Sequence, residues 1–208
     1  MTLDDARALI AGTIDDRLHA LWLVALFTGM REAELLGLGW DDVDLGDATA
    51  SPGGRLRPAT LTVRYQLQRR DGAWVRTPPK TKAGIRTVVL ALPVVDALRD
   101  HQRRMALERE PGWPFYGLCF TTEHGLPLYG YRVLSMLYAH EDRLGLPRAT
   151  VHDLRHTAAS IMLASGLQLE DVRDALGHSS VSITSATYGH AMAERQREVA
   201  RRMEQTLG

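Results

Sequence analysis

A single cysteine, Cys119, stands in the 208 residues. It excludes an internal disulfide and a cysteine-built zinc site. Long apolar runs are missing too. The stretch 18-LHALWLVALFTGM-30 stops at Arg31, short of the roughly 20 residues a membrane span needs, so it reads as a buried core helix. Asp4 and Asp5 occupy the place where a signal peptide would carry basic residues. The expectation is a soluble, cytoplasmic protein with no membrane partner. No P-loop motif and no carboxylate cluster suited to magnesium is present, so neither ATP nor a metal cofactor is implied. What remains is globular in composition: 45% hydrophobic and 24% charged, which argues against disorder and suffices for a real core.

A net charge is also lacking, with 25 basic and 25 acidic side chains. Nucleic-acid binders usually carry a basic excess, so the total argues mildly against one. The distribution points the other way. Residues 1–50 hold three basic and ten acidic side chains, net −7. Residues 51–90 hold nine basic ones (Arg55, Arg57, Arg64, Arg69, Arg70, Arg76, Lys80, Lys82, Arg86) against Asp71, net +8. The last 118 residues are close to neutral, net −1. The basic stretch is either a surface for phosphates or a solvated arm.

The patterning is mostly helical. Thr2 to Asp5 reads as a capping box opening a short helix. Further helices are expected over about 17–28, ending near Gly29, and over 31–38, with Leu35, Leu36 and Leu38 facing inward. Glycines and prolines make 46–59 a loop. Leu61, Val63, Tyr65 and Leu67 alternate with polar residues at a strand period. Ala73–Thr77 and Ile85–Leu90 read as further strands, giving a small antiparallel sheet with a charged hairpin. Pro93 suits a helix start, and that helix runs to about Glu108. After a break at 111–114, Leu118–Phe120 is a candidate short strand. Helices follow at about 129–144, 151–165, 168–176, 180–187 and 190–207. The fold class is mainly α with a small antiparallel β-sheet (α+β), organised as one domain over 1–208.

Four clusters could carry chemistry. In Thr28-Gly29-Met30-Arg31-Glu32-Ala33-Glu34-Leu35, an arginine after an apolar helix and a glycine is held on a fixed backbone; alone, it also reads as a structural ion pair with Glu34. In Pro79-Lys80-Thr81-Lys82-Ala83-Gly84-Ile85-Arg86, a lysine on a turn can reach a phosphodiester; alone, it is a solvated turn. In His152-Asp153-Leu154-Arg155-His156, His152 and Arg155 share a helix face. Arg155 offers a planar fork for phosphate oxygens, and His152 can exchange a proton near neutral pH. His152 and His156 also have zinc-protease spacing, but the glutamate of that motif is replaced by Asp153 and no third ligand is evident. Finally, Leu176-Gly177-His178-Ser179-Ser180 precedes Tyr188-Gly189-His190, where the tyrosine is a surface anchor or a nucleophile.

In this order, T-G-x-R-x-x-E-L at 28–35, K-T at 80–81, H-x-L-R-H at 152–156, L-G-H at 176–178 and Y-x-H at 188–190 resemble the tyrosine recombinases of the phage-integrase family. The motifs span nearly the whole chain; each is ordinary alone, and the ordered set is specific. The resemblance implies that family's catalytic-domain fold and a metal-independent, cofactor-free DNA strand transferase. Arg31 and Arg155 would clamp the scissile phosphate, His152 would assist proton transfer at Tyr188, and His178 would donate to a phosphoryl oxygen. Lys80 would protonate the leaving 5′ oxygen, with Lys82 as the alternative. Tyr188 would attack to form a 3′-phosphotyrosine bond, and Glu34 would support the site. Implied partners are double-stranded DNA, three further copies in a tetramer on DNA, and accessory DNA-bending or excision factors. A type IB topoisomerase-like activity and a non-cutting DNA-binding remnant are the alternatives. Members usually carry a core-binding domain ahead of the catalytic one; here Arg31 comes almost at once, which reads as absence of that domain. The helix at 190–208 either packs on its own domain or docks on a neighbouring protomer.

Overall fold

The computed structural model describes residues 1–46, 57–114 and 116–177. Helix α1 (Leu3–Gly12) opens as expected: the Thr2 hydroxyl accepts from the Asp5 amide at 3.1 Å, and the Asp5 carboxylate accepts from the Thr2 amide at 2.8 Å. Helix α2 (His19–Thr28) is buried almost all round, from Ala20 through Leu26. A helix apolar on every side belongs at the centre of a fold, and α2 packs against α1, α4 (Leu92–Glu108) and α6 (Val151–Ala164). It stops at Gly29, whose φ of 60° is the left-handed conformation that glycine adopts at least cost. The short helix α3 (Glu32–Leu36) follows, and Leu35, Leu36 and Leu38 are buried.

The β-structure differs from the expected single sheet. Strands β1 (Val43–Asp44), β2 (Thr60–Val63) and β5 (Arg86–Val89) form one antiparallel sheet in the order β1-β2-β5. Strands β3 (Gln66–Arg70) and β4 (Ala73–Thr77) form a separate two-stranded one. The alternating run 61–67 is therefore two strands. The chain turns at Arg64 and Tyr65 so that β3 lies over the end of α3. There a Cβ on Gly37 would come within 2.6 Å of the Leu67 amide nitrogen, so glycine permits the approach. Leu61, Val63 and Leu67 are buried on either side of the bend while Tyr65, at the bend, is exposed; the alternation of residue types along the sequence does not report which strand is the hydrogen-bonded neighbour. Leu118, expected in a short strand, makes one isolated bridge to Gly39.

The C-terminal half of the described chain is helical. Helix α5 (Gly130–Leu144) packs on α1, α3 and α6. Helix α6 begins with a capping box: the Thr150 hydroxyl accepts from the Asp153 amide at 3.2 Å and the Asp153 carboxylate accepts from the Thr150 amide at 2.7 Å. Helix α7 (Leu169–Leu176) ends at Gly177, again left-handed with φ 68°. Ala159, Leu163, Leu169, Val172 and Leu176 form a small cluster between α6 and α7. The main core lies around α2. The helices expected at 180–187 and 190–207, with the candidates His178 and Tyr188, lie outside the described residues, as does most of the 46–59 loop.

Candidate active site

Local sequence sets each side chain on its element. The glycine stop of α2 leaves Met30 buried and Arg31 extended (φ −67°, ψ 151°) at the start of α3. Glu34, three residues on, is 2% exposed. Its carboxylate accepts from the Arg31 amide at 3.0 Å and from Arg31 Nη1 at 2.8 Å. The ion-pair reading of Arg31 is thus realised, while its side chain stays 44% exposed. A second arginine meets the same carboxylate from below: Arg86 Nη2 lies 3.0 Å from Glu34 Oε2, with the Arg86 side chain only 6% exposed. Burial pushes the Glu34 carboxyl up. The Arg86 charge, with hydrogen bonds from Arg86 and Arg31, outweighs that and holds it below the usual carboxylate value.

Arg155, on α6, is 3% exposed. Its Nη1 donates to the Gly29 carbonyl at 2.5 Å and its Nη2 to the Leu176 carbonyl at 2.9 Å. Arg86 reaches the same helix end, where Nε donates to the Ala175 carbonyl at 2.7 Å. Two guanidinium groups therefore satisfy carbonyls that the last turn of α7 leaves without helical partners, at the negative end of its dipole. The loop bearing Lys80 closes the same neighbourhood. Lys80 is exposed between β4 and the 3-10 turn Lys82–Gly84. Arg86 Nη1 donates to the Gly84 carbonyl at 3.1 Å. A Cβ on Gly177 would lie 2.8 Å from the Ala83 carbonyl oxygen, so the end of α7 sits directly against this loop.

His152 is exposed on the first turn of α6, with its ring edge-on to that of His156 at 4.5 Å between centroids. His156 is the more enclosed; burial, then the charge of His152, lowers its pKa. Among the described residues no group of three or more His, Cys, Asp or Glu side chains could hold a metal ion.

Four of the six residues singled out from the sequence are thus described. Arg31 and Arg155 are joined through Gly29, the Lys80 loop abuts the end of α7, and His152 lies one turn ahead of Arg155. Arg86 is a further functional residue that the sequence presents as one more basic residue of 51–90. Its signal was present: on an alternating strand it shares a face with Val88 and Leu90, and an arginine on an inward face requires a buried partner.

The basic stretch is not a uniform phosphate surface. Arg64 Nε pairs with Asp42 Oδ1 at 3.0 Å and Arg76 pairs with the other oxygen of that carboxylate. Arg57 pairs with Asp44 at 3.1 Å, and Arg86 with Glu34. The acidic excess of residues 1–50 and the basic excess of 51–90 thus partly neutralise each other across the fold. No helix among the described residues is long and apolar enough to cross a membrane.

The chain is similar to known proteins along almost its whole length. The family model for the phage integrase family matches residues 1–195, and the chain belongs to that family. It is 32% identical over 186 residues to a tyrosine recombinase XerC-like protein of Caldanaerobacter subterraneus, covering 86% of this chain and 47% of that one. To the putative prophage phiRv2 integrase of Mycobacterium tuberculosis it is 31% identical over 199 residues, covering 96% of this chain and 49% of the relative. The chain therefore spans about half the length of these relatives. Among solved structures, the Tn1549 transposon integrase in complex with transposon right end DNA superimposes with a TM-score of 0.75 at 22% identity, covering all of this chain and 66% of that one. The fold is that of the tyrosine recombinase catalytic domains.

Proposed function

We propose that this chain is the catalytic domain of a site-specific DNA recombinase, which cuts and rejoins double-stranded DNA through a 3′-phosphotyrosine intermediate. The observation that carries the reading is the double bond of Arg155. Its guanidinium ties the Gly29 carbonyl, two residues before Arg31, to the Leu176 carbonyl, two residues before His178. Three segments far apart in sequence, each holding one of the motifs, thereby meet at one place.

The chemistry suits those residue types. Tyr188 Oη attacks phosphorus, the P–O5′ bond breaks, and the tyrosine holds the 3′ phosphate. His152 takes the phenolic proton, and Lys80 supplies one to the departing 5′ oxygen. A phenol has a pKa of about 10, so forming phenolate at pH 7 costs roughly 4 kcal/mol. Fixed cations at the phosphate and a nearby base offset that cost. Charge develops on the non-bridging oxygens, so Arg31, Arg155 and His178 stabilise the transition state best when their donors are already fixed in place. The two carbonyl bonds of Arg155 fix the plane of its fork, and Glu34 does the same for Arg31. Because the phosphotyrosine bond keeps the energy of the phosphodiester, a 5′ hydroxyl of a partner strand can attack it without ATP. Recombination by this route takes a tetramer on DNA, formed with further copies of the protein.

The test is covalent capture. The protein is mixed with nicked suicide duplexes of randomised sequence, and SDS-stable adducts are collected. An adduct absent from Tyr188→Phe supports the reading, and the trapped DNA gives the site. An adduct that persists in Tyr188→Phe, or none from the unchanged chain, counts against it.

A further inference from the structure

We propose that Arg86 is a positioning residue of this site, holding the Lys80 loop in register with Arg31 and with the end of α7. The proposal rests on the recombinase reading above. Among the described residues, Arg86 touches no candidate reacting atom. It spends its fork on three separate segments: Nη2 on the Glu34 carboxylate at 3.0 Å, Nη1 on the Gly84 carbonyl at 3.1 Å, and Nε on the Ala175 carbonyl at 2.7 Å. Glu34 in turn holds the amide and the side chain of Arg31. Gly84 closes the turn that follows Lys80, its amide donating to the Thr81 carbonyl at 3.0 Å. Ala175 lies in the last turn of α7, directly ahead of Leu176, Gly177 and His178.

Packing adds to the hydrogen bonds. A Cβ on Gly177 would lie 3.0 Å from Arg86 Nη1 as well as 2.8 Å from the Ala83 carbonyl oxygen. A Cβ on Gly84 would fall 2.5 Å from Pro79 Cβ, the residue just before Lys80. Glycine at both points lets loop, guanidinium and helix end close on one another. A lysine at 86 cannot replace this arrangement. Its ammonium is a point charge without the planar fork that reaches three acceptors in different directions. Arg86 therefore sets where the Lys80 loop stands relative to the phosphate clamp, and its effect on the reaction is exerted through the leaving-group proton. A misplacement of about 1 Å at such a group costs on the order of 100-fold in rate.

The chemistry provides a readout that a merely structural role would not move. A duplex with sulfur in place of the bridging 5′ oxygen releases a thiolate. Thiols have a pKa of about 8.5, so this leaving group needs little help from an acid. The probe is the site recovered by covalent capture, made with oxygen or with sulfur at the scissile 5′ position. Single-turnover cleavage is measured for the unchanged chain, Arg86→Lys and Lys80→Ala. The expected result for Arg86→Lys is a 10- to 100-fold loss on the oxygen substrate, recovered to within about threefold on the sulfur substrate, with the recovery paralleling that of Lys80→Ala. Equal losses on both substrates overturn the proposal, as does unchanged cleavage of the oxygen substrate.

Should Arg86→Lys unfold, Gly84→Ala decides the matter. It shifts the Gly84 carbonyl away from Arg86 Nη1, and so breaks the link by which the arginine holds the loop, while leaving the pair of Arg86 with Glu34 in place. The same sulfur-rescued loss supports the proposal, and an unrescued or absent loss overturns it. The two readings fail differently. No adduct from the unchanged chain removes the recombinase reading and this proposal together; normal cleavage by the unchanged chain without sulfur rescue in the variants removes this proposal alone.

Discussion

Replacing Gly29 with alanine tests the joint between the first motif and the rest of the site. Two costs add. The residue sits at φ 60°, and a left-handed conformation costs an L-residue about 1–2 kcal/mol. The new Cβ would also stand 2.4 Å from Leu176 Cδ2. That atom is the far end of a side chain, but Leu176 is fully buried between α6 and α7, so it has little room to turn away. Overpacking of this kind costs about 1–3 kcal/mol. The sum, about 2–5 kcal/mol, is a large part of the 5–15 kcal/mol by which a typical domain is stable. Urea unfolding followed by circular dichroism gives the change from the midpoint and slope. The decisive form is a cycle with Leu176→Ala. Alone, that change leaves a cavity and costs about 2–5 kcal/mol. Together with Gly29→Ala it gives the new methyl somewhere to go, so the pair should be less destabilised than the sum by about 1–3 kcal/mol. Costs that simply add, within about 0.5 kcal/mol, would refute the steric part of the argument. A Gly29→Ala cost below about 1 kcal/mol would refute all of it.

Other perturbations follow from the same geometry. Glu34→Gln keeps the shape but leaves the Arg86 guanidinium buried without its counter-charge; the expected loss is about 3 kcal/mol, at the lower end for one partner of a buried pair, read from the urea midpoint. Because the folded Glu34 carboxyl titrates below its unfolded value, its contribution is complete above about pH 4.5 and is lost as pH falls further, so in Glu34→Gln the acid limb of the stability profile should flatten. His19, His101, His140 and His156 all have pKa values lowered first by burial. Unfolding lets them take up protons below about pH 6.5, so the urea midpoint should drop between pH 7.5 and pH 5.5, and by less in His101→Gln. Lys80→Ala should slow cleavage by about 10²–10⁴-fold while Lys82→Ala changes it by less than about threefold; the reverse order would move the acid to Lys82.

The sequence alone determined much of this protein. The capping box at Thr2, the helix stop at Gly29 and the buried run of α2 are all local matters of hydrogen-bond supply, backbone freedom and apolar period. Those cues act within a few residues, so they can be read along the chain. The ordered motifs gave the family in the same way. What the sequence could not give is which segments meet. The run 61–67 keeps its alternation of residue types through a bend, and burial of Leu61, Val63 and Leu67 is satisfied whichever sheet each strand joins. The charge blocks of 1–50 and 51–90 read as opposed surfaces, yet Asp42 and Glu34 draw in Arg64, Arg76 and Arg86. An ion pair is set by distance in space, and Glu34 and Arg86 lie 52 residues apart in sequence. Only the tertiary fold decided that Arg86 is a buried strut rather than one more surface cation. Only the fold, likewise, let the fork of Arg155 span from the end of α2 to the end of α7. Both arginines are placed by carbonyls, and Arg86 by a carboxylate as well, that helix ends and a turn deliver from distant parts of the chain.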